Sequence, residues 1–226
     1  MTDQTRPAVS IDDIRAAATR IAPYAVRTPL VESPLLNERL GFRLLVKAEC
    51  LQHTGSFKLR GATNTVMSLP DSVTDVVAWS SGNHAQAVAR AAALRGIRAA
   101  IVMPEDAPAM KIEGTKAYGA EVVTYDRYNE SREEIGGAIA AERGAELIPP
   151  FEDARVIAGQ GTIGLEIAAQ CRETGAVPDH VVSCCGGGGL IAGTSLAIRH
   201  ELPEAQVWAA EPADFDDTVR SLASGR

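Results

Sequence analysis

The sequence predicts an α/β chain, parallel sheets with flanking helices. Two observations lead there. From Ser56 onward, short apolar runs alternate with segments of helical period, and most of those segments close on glycine or proline. Repeated strand–helix–strand order requires crossover connections, which place helices on the faces of a parallel sheet. Ligands of such sheets bind beyond the carboxyl ends of the strands, so the loops there are the first place to look for chemistry.

The elements follow in order. Ser10 to Tyr24 reads as a helix, because Ser10 can cap it, Asp13 sits near its positive end, and Ile14, Ala17, Ala18 and Ile21 share one face. Pro23 and Thr28-Pro29 close that segment. Leu44 to Ala48 is a short apolar strand. Val76 to Trp79 is a strand, and Asn83 to Arg95 a helix ended by Gly96. Ala99 to Met103 is a strand stopped by Pro104, and Ala109 to Tyr118 a helix ended by Gly119. Glu121 to Tyr125 is a strand and Ser131 to Arg143 a helix. Leu147-Ile148 starts a strand before Pro149-Pro150. Gly164 to Thr174 is helical, Val181 to Cys184 a strand, Leu190 to His200 a helix and Gln206 to Ala210 a strand. No internal repeat or low-complexity linker interrupts this pattern.

Composition narrows the function classes. At 226 residues the chain makes one large or two small domains. Aromatics are 4%, so Ala, Val, Leu and Ile must build the core. A net charge of −7 with no basic cluster argues against a nucleic-acid partner. No apolar run reaches ~18 residues, so no membrane span is expected. The first residues, MTDQTRPAVSIDD, lack the layout of a signal peptide. The cysteines are Cys50, Cys171, Cys184 and Cys185, with no C-x-x-C and no zinc spacing, so buried reduced thiols and a cytoplasmic protein are expected. Cys184 and Cys185 are adjacent in an apolar run and would face opposite ways on a strand.

Three stretches carry chemistry. Gly186, Gly187, Gly188 and Gly189 lie between an apolar strand and an apolar helix. Core-like flanks argue against a flexible linker, and successive N–H groups at a helix start bind phosphate. A plain tight turn is the alternative. The spacing matches neither the nucleoside-triphosphate nor the dinucleotide fingerprint. In SSGNHAQ, residues 80–86, hydroxyl, amide and N–H groups follow a strand and could grip a carboxylate or an aromatic hydroxyl; these are also ordinary turn residues. His84 taken alone reads as structural. In HTGSFKLRGA, Lys58 follows what looks like a helix start at Thr54-Gly55-Ser56. A free lysine amine is under ~0.1% unprotonated at neutral pH, and burial or a helix's positive end is needed to free it for imine formation. A lysine imine, one phosphate cradle and a carboxylate grip together point to pyridoxal phosphate and an amino acid, since that cofactor stabilises a carbanion at Cα.

With these stretches in order, the chain resembles the serine/threonine dehydratases and serine racemases, pyridoxal enzymes of fold type II, the tryptophan-synthase-β-like group. The resemblance runs from about Ile11 to the last residue through RTPLVESPLLN, KAECLQHTGSFKLRGA, SSGNHAQAVA, MPEDAPAMKIEGTKAYGAEV, PPFEDARVIAGQGT, GGGGLIAGT and AAEP. It implies two α/β lobes, a small one over 49–146 and a large one over 1–48 plus 147–226, with the cofactor between them. It implies that Lys58 holds pyridoxal 5'-phosphate as an internal imine and moves the Cα proton. Phe57 would pack by the cofactor ring and Asn83 would hydrogen-bond its hydroxyl. Gly186 to Gly189, followed by Leu190, would bind the phosphate. Ser80, Ser81, Gly82, Asn83 and His84 would bind the substrate carboxylate.

Ser81 is informative, because biosynthetic threonine dehydratases usually carry alanine there and racemase-like members carry serine. Acid/base groups on both cofactor faces permit racemisation as well as elimination. Glu211 and Asp217, with the Phe215 carbonyl between, would bind Mg²⁺ or Ca²⁺, whose hard character suits oxygen ligands; a solvated acidic turn is the alternative. The expected reaction is that of an ammonia-lyase turning serine, threonine or threo-3-hydroxyaspartate into a 2-keto acid and ammonia. A serine-type racemase using Lys58 and Ser81 is the alternative, and an inactive remnant that only binds ligand the third reading. Members of the family run past the point where SLASGR ends, so the large lobe is expected to be C-terminally truncated, without the serine at the ring nitrogen. The resemblance further implies a homodimer for the full-length family chain.

Overall fold

The structure is a computed structural model that describes residues 9–225. Residues 1–8 of the expected large lobe, the start of the segment read for a leader, and Arg226 lie outside the described residues. Helix α1 (Ile11–Ile21) begins at a reciprocal cap. The Ser10 side chain accepts the Asp13 N–H, and the Asp13 side chain accepts the Ser10 N–H. Ile14, Ala17 and Ile21 are buried as their spacing requires, while Ala18 is only partly so.

Strands β1 (Leu30–Glu32) and β2 (Leu45–Lys47) pair antiparallel around helix α2 (Pro34–Leu40). The sequence reading held neither β1 nor α2, and its strand over 44–48 is shorter here. Among α2's residues Leu35, Leu36 and Leu40 are all exposed, so no apolar face announces the helix.

Strands β3 (Asp75–Trp79), β4 (Arg98–Pro104), β5 (Glu121–Tyr125) and β6 (Glu146–Leu147) form one parallel sheet in the order β5-β4-β3-β6. Helices α3 (Lys58–Ser68), α4 (Asn83–Arg95), α5 (Ala109–Ala117) and α6 (Arg132–Arg143) accompany it. Its core is aliphatic as composition demands: Val76, Ala78, Ile101 and Met103 pack with Ala62, Val66, Ala85 and Val88. Strand β6 starts one residue before its expected position.

Helix α7 (Ala154–Thr174) is twice as long as the expected segment 164–174. The Asp153 carboxylate caps it by accepting the N–H groups of Arg155 and Val156. Two glycines at its interfaces, Gly159 and Gly193, are contact points. A Cβ at Gly159 would lie 2.6 Å from Gly61 Cα on α3. One at Gly193, on helix α8 (Gly189–Glu201), would lie 2.2 Å from the Ile157 carbonyl oxygen of α7. Backbone cannot yield as a side-chain tip can, so both positions need glycine. Strands β7 (His180–Cys184) and β8 (Gln206–Ala210) pair in parallel beside α8, and α9 (Asp217–Ser224) follows. Val181, Val207 and Ile198 close one face of that pair, while Val182 and Trp208 on the other are exposed. Among the described residues, no helix is long and apolar enough to cross a membrane.

Candidate active site

Lys58 is the first residue of α3. The expected Thr54–Ser56 cap does not form: Phe57 occupies the cap position without a side-chain hydrogen bond, and the Thr54 and Ser56 hydroxyls are buried without a partner among the described residues. The Lys58 Nζ donates to the Pro150 carbonyl at 2.7 Å and lies 5.4 Å from the Phe57 ring centroid. Burial pushes its pKa below the ordinary lysine value, because an ammonium is poorly solvated there.

The segment 148–151 ties the three sequence motifs together, and sequence reasoning gave it no role. His84, buried in the first turn of α4, is hydrogen-bonded through Nε2 to the Ile148 carbonyl at 3.0 Å. Pro150 accepts from Lys58. The Phe151 ring packs on the glycine loop so closely that a Cβ at Gly187 would fall 2.3 Å from it. Two consecutive prolines before an aromatic were the available signal. Burial lowers the His84 pKa to about 4, with the Lys58 charge adding to the effect, so this imidazole is neutral.

The glycine loop enters α8 through Gly188, whose φ of 80° places it in the left-handed region, and no side chain caps the helix. A Cβ at Gly186 or Gly188 would meet nothing within 4 Å. The Gly189 N–H donates to the Gly187 carbonyl at 3.0 Å, but no side chain caps the N–H groups of this first turn, and the loop borders open space, an arrangement that fits a phosphate. Helix α4 likewise begins at Gly82 with no side-chain cap, and the Ser80 hydroxyl turns inward to accept the Gly82 N–H at 3.2 Å. Asn83 is engaged by a residue the sequence reading passed over: Lys111 of α5 donates to its Oδ1 at 2.7 Å.

Ser80 and Ser81 line a cavity of about 400 Å³ together with Tyr125, Arg127, Arg132 and Glu133. Phe57 and Leu190 line another, of about 620 Å³, between β2 and β7. Of the cysteines, Cys171 and Cys185 are buried and Cys50 and Cys184 exposed, which corrects the expectation that all four lie inside; all are free thiols. Cys184 and Cys185 do face opposite environments.

A lysine amine whose pKa burial lowers, an aromatic beside it, and a glycine-rich helix start without a side-chain cap fit pyridoxal phosphate. The proposed cation site does not fit as arranged. Both Glu211 oxygens accept N–H groups of α9, from Thr218 at 3.0 Å and Val219 at 3.1 Å, and Asp217 pairs with Arg220 at 2.7 Å. Phe215 is exposed, and its N–H closes a turn onto Pro212. These carboxylates cap and brace a helix. Among the described residues no group of three or more His, Cys, Asp or Glu side chains gathers to hold a metal ion.

The fold and this site define a class. The chain belongs to the family described as pyridoxal-phosphate dependent enzymes, whose pattern matches residues 21–226. Within it, the chain is 45% identical over 215 residues to an L-threo-3-hydroxyaspartate ammonia-lyase of Saccharomyces cerevisiae, covering 94% of this chain and 65% of the relative. It is 42% identical to a serine racemase of Oryza sativa subsp. indica, covering 97% of this chain and 64% of the relative. The crystal structure of a threonine deaminase from T.th. superposes with a TM-score of 0.90 at 50% identity, covering 96% of this chain and 70% of that one. These likenesses make the architecture that of fold type II pyridoxal enzymes. The chain spans about two thirds of the length of the curated relatives it matches.

Proposed function

We propose that the protein is a pyridoxal-phosphate-dependent ammonia-lyase that converts a hydroxy amino acid (serine, threonine or threo-3-hydroxyaspartate) to a 2-keto acid and ammonia. The observation that carries this is the Lys58 amine, depressed in pKa by burial and held by Pro150, one residue from the Phe151 ring that packs on the glycine loop. When bound, the cofactor withdraws electrons from the Cα of an attached amino acid. The chain's own residues do the rest. N–H groups of Gly186 to Gly189 hold the phosphate. Phe57 packs beside the ring and Asn83 donates to its hydroxyl. The uncapped start of α4, with Ser80, Ser81, Gly82, Asn83 and His84, holds the substrate carboxylate. Lys58 takes the Cα proton as general base. The Cβ–O bond breaks as hydroxide leaves, and water hydrolyses the released enamine to keto acid and ammonia.

Among these substrates threo-3-hydroxyaspartate carries a second carboxylate, and the Ser81 cavity offers a cation for it. Arg132 on its wall can turn from its neighbour Glu133 to a second carboxylate. We assign the small lobe to 49–146 around β3–β6 and the large lobe to 1–48 plus 147–226, a homodimeric assembly, and a cytoplasmic setting that suits free thiols. Neither Mg²⁺ nor Ca²⁺ takes part in this reading.

Ser81 favours racemisation as a second activity, because a hydroxyl opposite Lys58 could return the proton to the other face. Ser81→Ala should then abolish racemisation and largely spare elimination from the L-substrate; racemisation that persists removes Ser81 from the role. The test of the main reading is the visible absorbance of the chain mixed with pyridoxal phosphate. A band lost in Lys58→Ala supports it. A chain that never develops the band is an inactive binding remnant at most.

A further inference from the structure

We infer that Lys111 is a positioning residue for Asn83 and the source of positive charge beside the atom Asn83 contacts, an inference that rests on the reading above for the identity of that atom. Lys111 stands in the first turn of α5, and its Nζ donates to Asn83 Oδ1 at 2.7 Å. Among the described residues no carboxylate lies within ion-pair distance of it; the neighbouring lysine of the same helix, Lys116, pairs with Glu113 instead. A cation is therefore spent on a neutral amide oxygen, at the start of a helix that no side chain caps. That start already carries the positive end of the α4 dipole, so the ammonium adds charge of the same sign. Surface lysines normally pair with an anion or point into water; this one is half-buried and bound to an amide instead.

Two consequences follow. With its oxygen turned to an ammonium, which can only donate, the Asn83 amide presents its N–H donors on the opposite side. The amide orientation is thus fixed as a donor. The atom it donates to also sits within reach of the Lys111 charge, so an anionic acceptor is favoured over a neutral one. For pyridoxal phosphate that acceptor is the ionised ring hydroxyl. Lys111 then lowers the pKa of the Lys58-bound chromophore and keeps Asn83 from turning its oxygen to the ring.

The experiment is a pH titration of the visible spectrum of the cofactor-loaded protein, in the parent, Lys111→Met, Lys111→Arg and Asn83→Ala forms. Removing a positive charge raises the pKa of any neighbouring group. Lys111→Met should move the chromophore midpoint up by about one unit, at the low end of what an opposite charge a few ångströms away produces. Lys111→Arg should hold it near the parent value. A midpoint unchanged in Lys111→Met, with the band intact and sensitive to Lys58→Ala, overturns the inference while leaving the reading of Lys58 in place. A band absent or indifferent to Lys58→Ala overturns the reading of Lys58 instead. The contact is then decided without cofactor, by mass-spectrometric measurement of Lys111 reductive methylation. Asn83→Ala should speed that labelling several-fold, and an unchanged rate discards the Lys111–Asn83 pair.

Discussion

Arg60 follows Lys58 by two residues on α3 and is fully buried. Its guanidinium donates to Glu49 at 2.8 Å through both Nε and Nη2, to Glu166 at 2.7 and 2.8 Å, to Thr162 at 3.2 Å and to the Val26 carbonyl at 3.2 Å. Lys47 joins the cluster by donating to Glu166 at 2.6 Å. Two cations thus face two carboxylates. Burial disfavours the charge on Arg60, but the Glu49 and Glu166 hydrogen bonds outweigh it and raise its pKa, so it stays charged. Arg60→Met leaves one negative charge in excess with no cation to pair it, Glu49 keeping, among the described residues, only the Thr28 hydroxyl as a side-chain donor. Breaking a buried pair in this way costs about 3–5 kcal/mol, a large part of a typical domain's stability of roughly 5–15 kcal/mol. Urea unfolding followed by circular dichroism reads the loss directly. Adding Glu49→Gln to Arg60→Met restores the balance between Lys47 and Glu166 and should return a third or more of it. A loss under about 1 kcal/mol, the range of solvated surface pairs, would refute the argument that this cluster is a desolvated lock between α3 and α7.

Three further outcomes are expected. His84 is neutral when folded, with its pKa lowered from 6.5 to about 4 by burial. Below pH 6.5 the unfolded chain binds a proton that the folded chain refuses, so its contribution is complete above that pH and lost as pH falls through 4. The loss is roughly 3 kcal/mol, and stability against pH in the parent and His84→Gln forms should differ in that window. Gly187→Ala should weaken pyridoxal phosphate binding at least tenfold, because the near end of the Phe151 side chain, Cγ, lies 2.3 Å from the added carbon and cannot swing away; fluorescence titration checks this, and Phe151→Ala in the same chain should recover part of the affinity. Arg132→Ala should raise KM for threo-3-hydroxyaspartate more than for threonine, as steady-state kinetics with both substrates would reveal.

Much of this molecule is determined by sequence alone. The parallel sheet follows from the alternation of aliphatic runs with capped helices, since period and punctuation are local properties that the backbone must obey. Lys58, the glycine run and the 80–84 loop are equally legible, because each needs particular residue types at adjacent positions. What tertiary structure decided lies where distant segments meet. The first half of α7 is not assigned by the sequence pattern, and its glycines admit the close approach of α3 and α8. The acidic residues near the end of the chain looked like cation ligands, yet Glu211 turns to cap α9. Burial of the Lys58 amine and the Lys111 contact to Asn83 depend on neighbours 92 and 28 positions away. Desolvation and hydrogen bonding act through space, so only the folded arrangement fixes which polar groups lose water and which partners replace it.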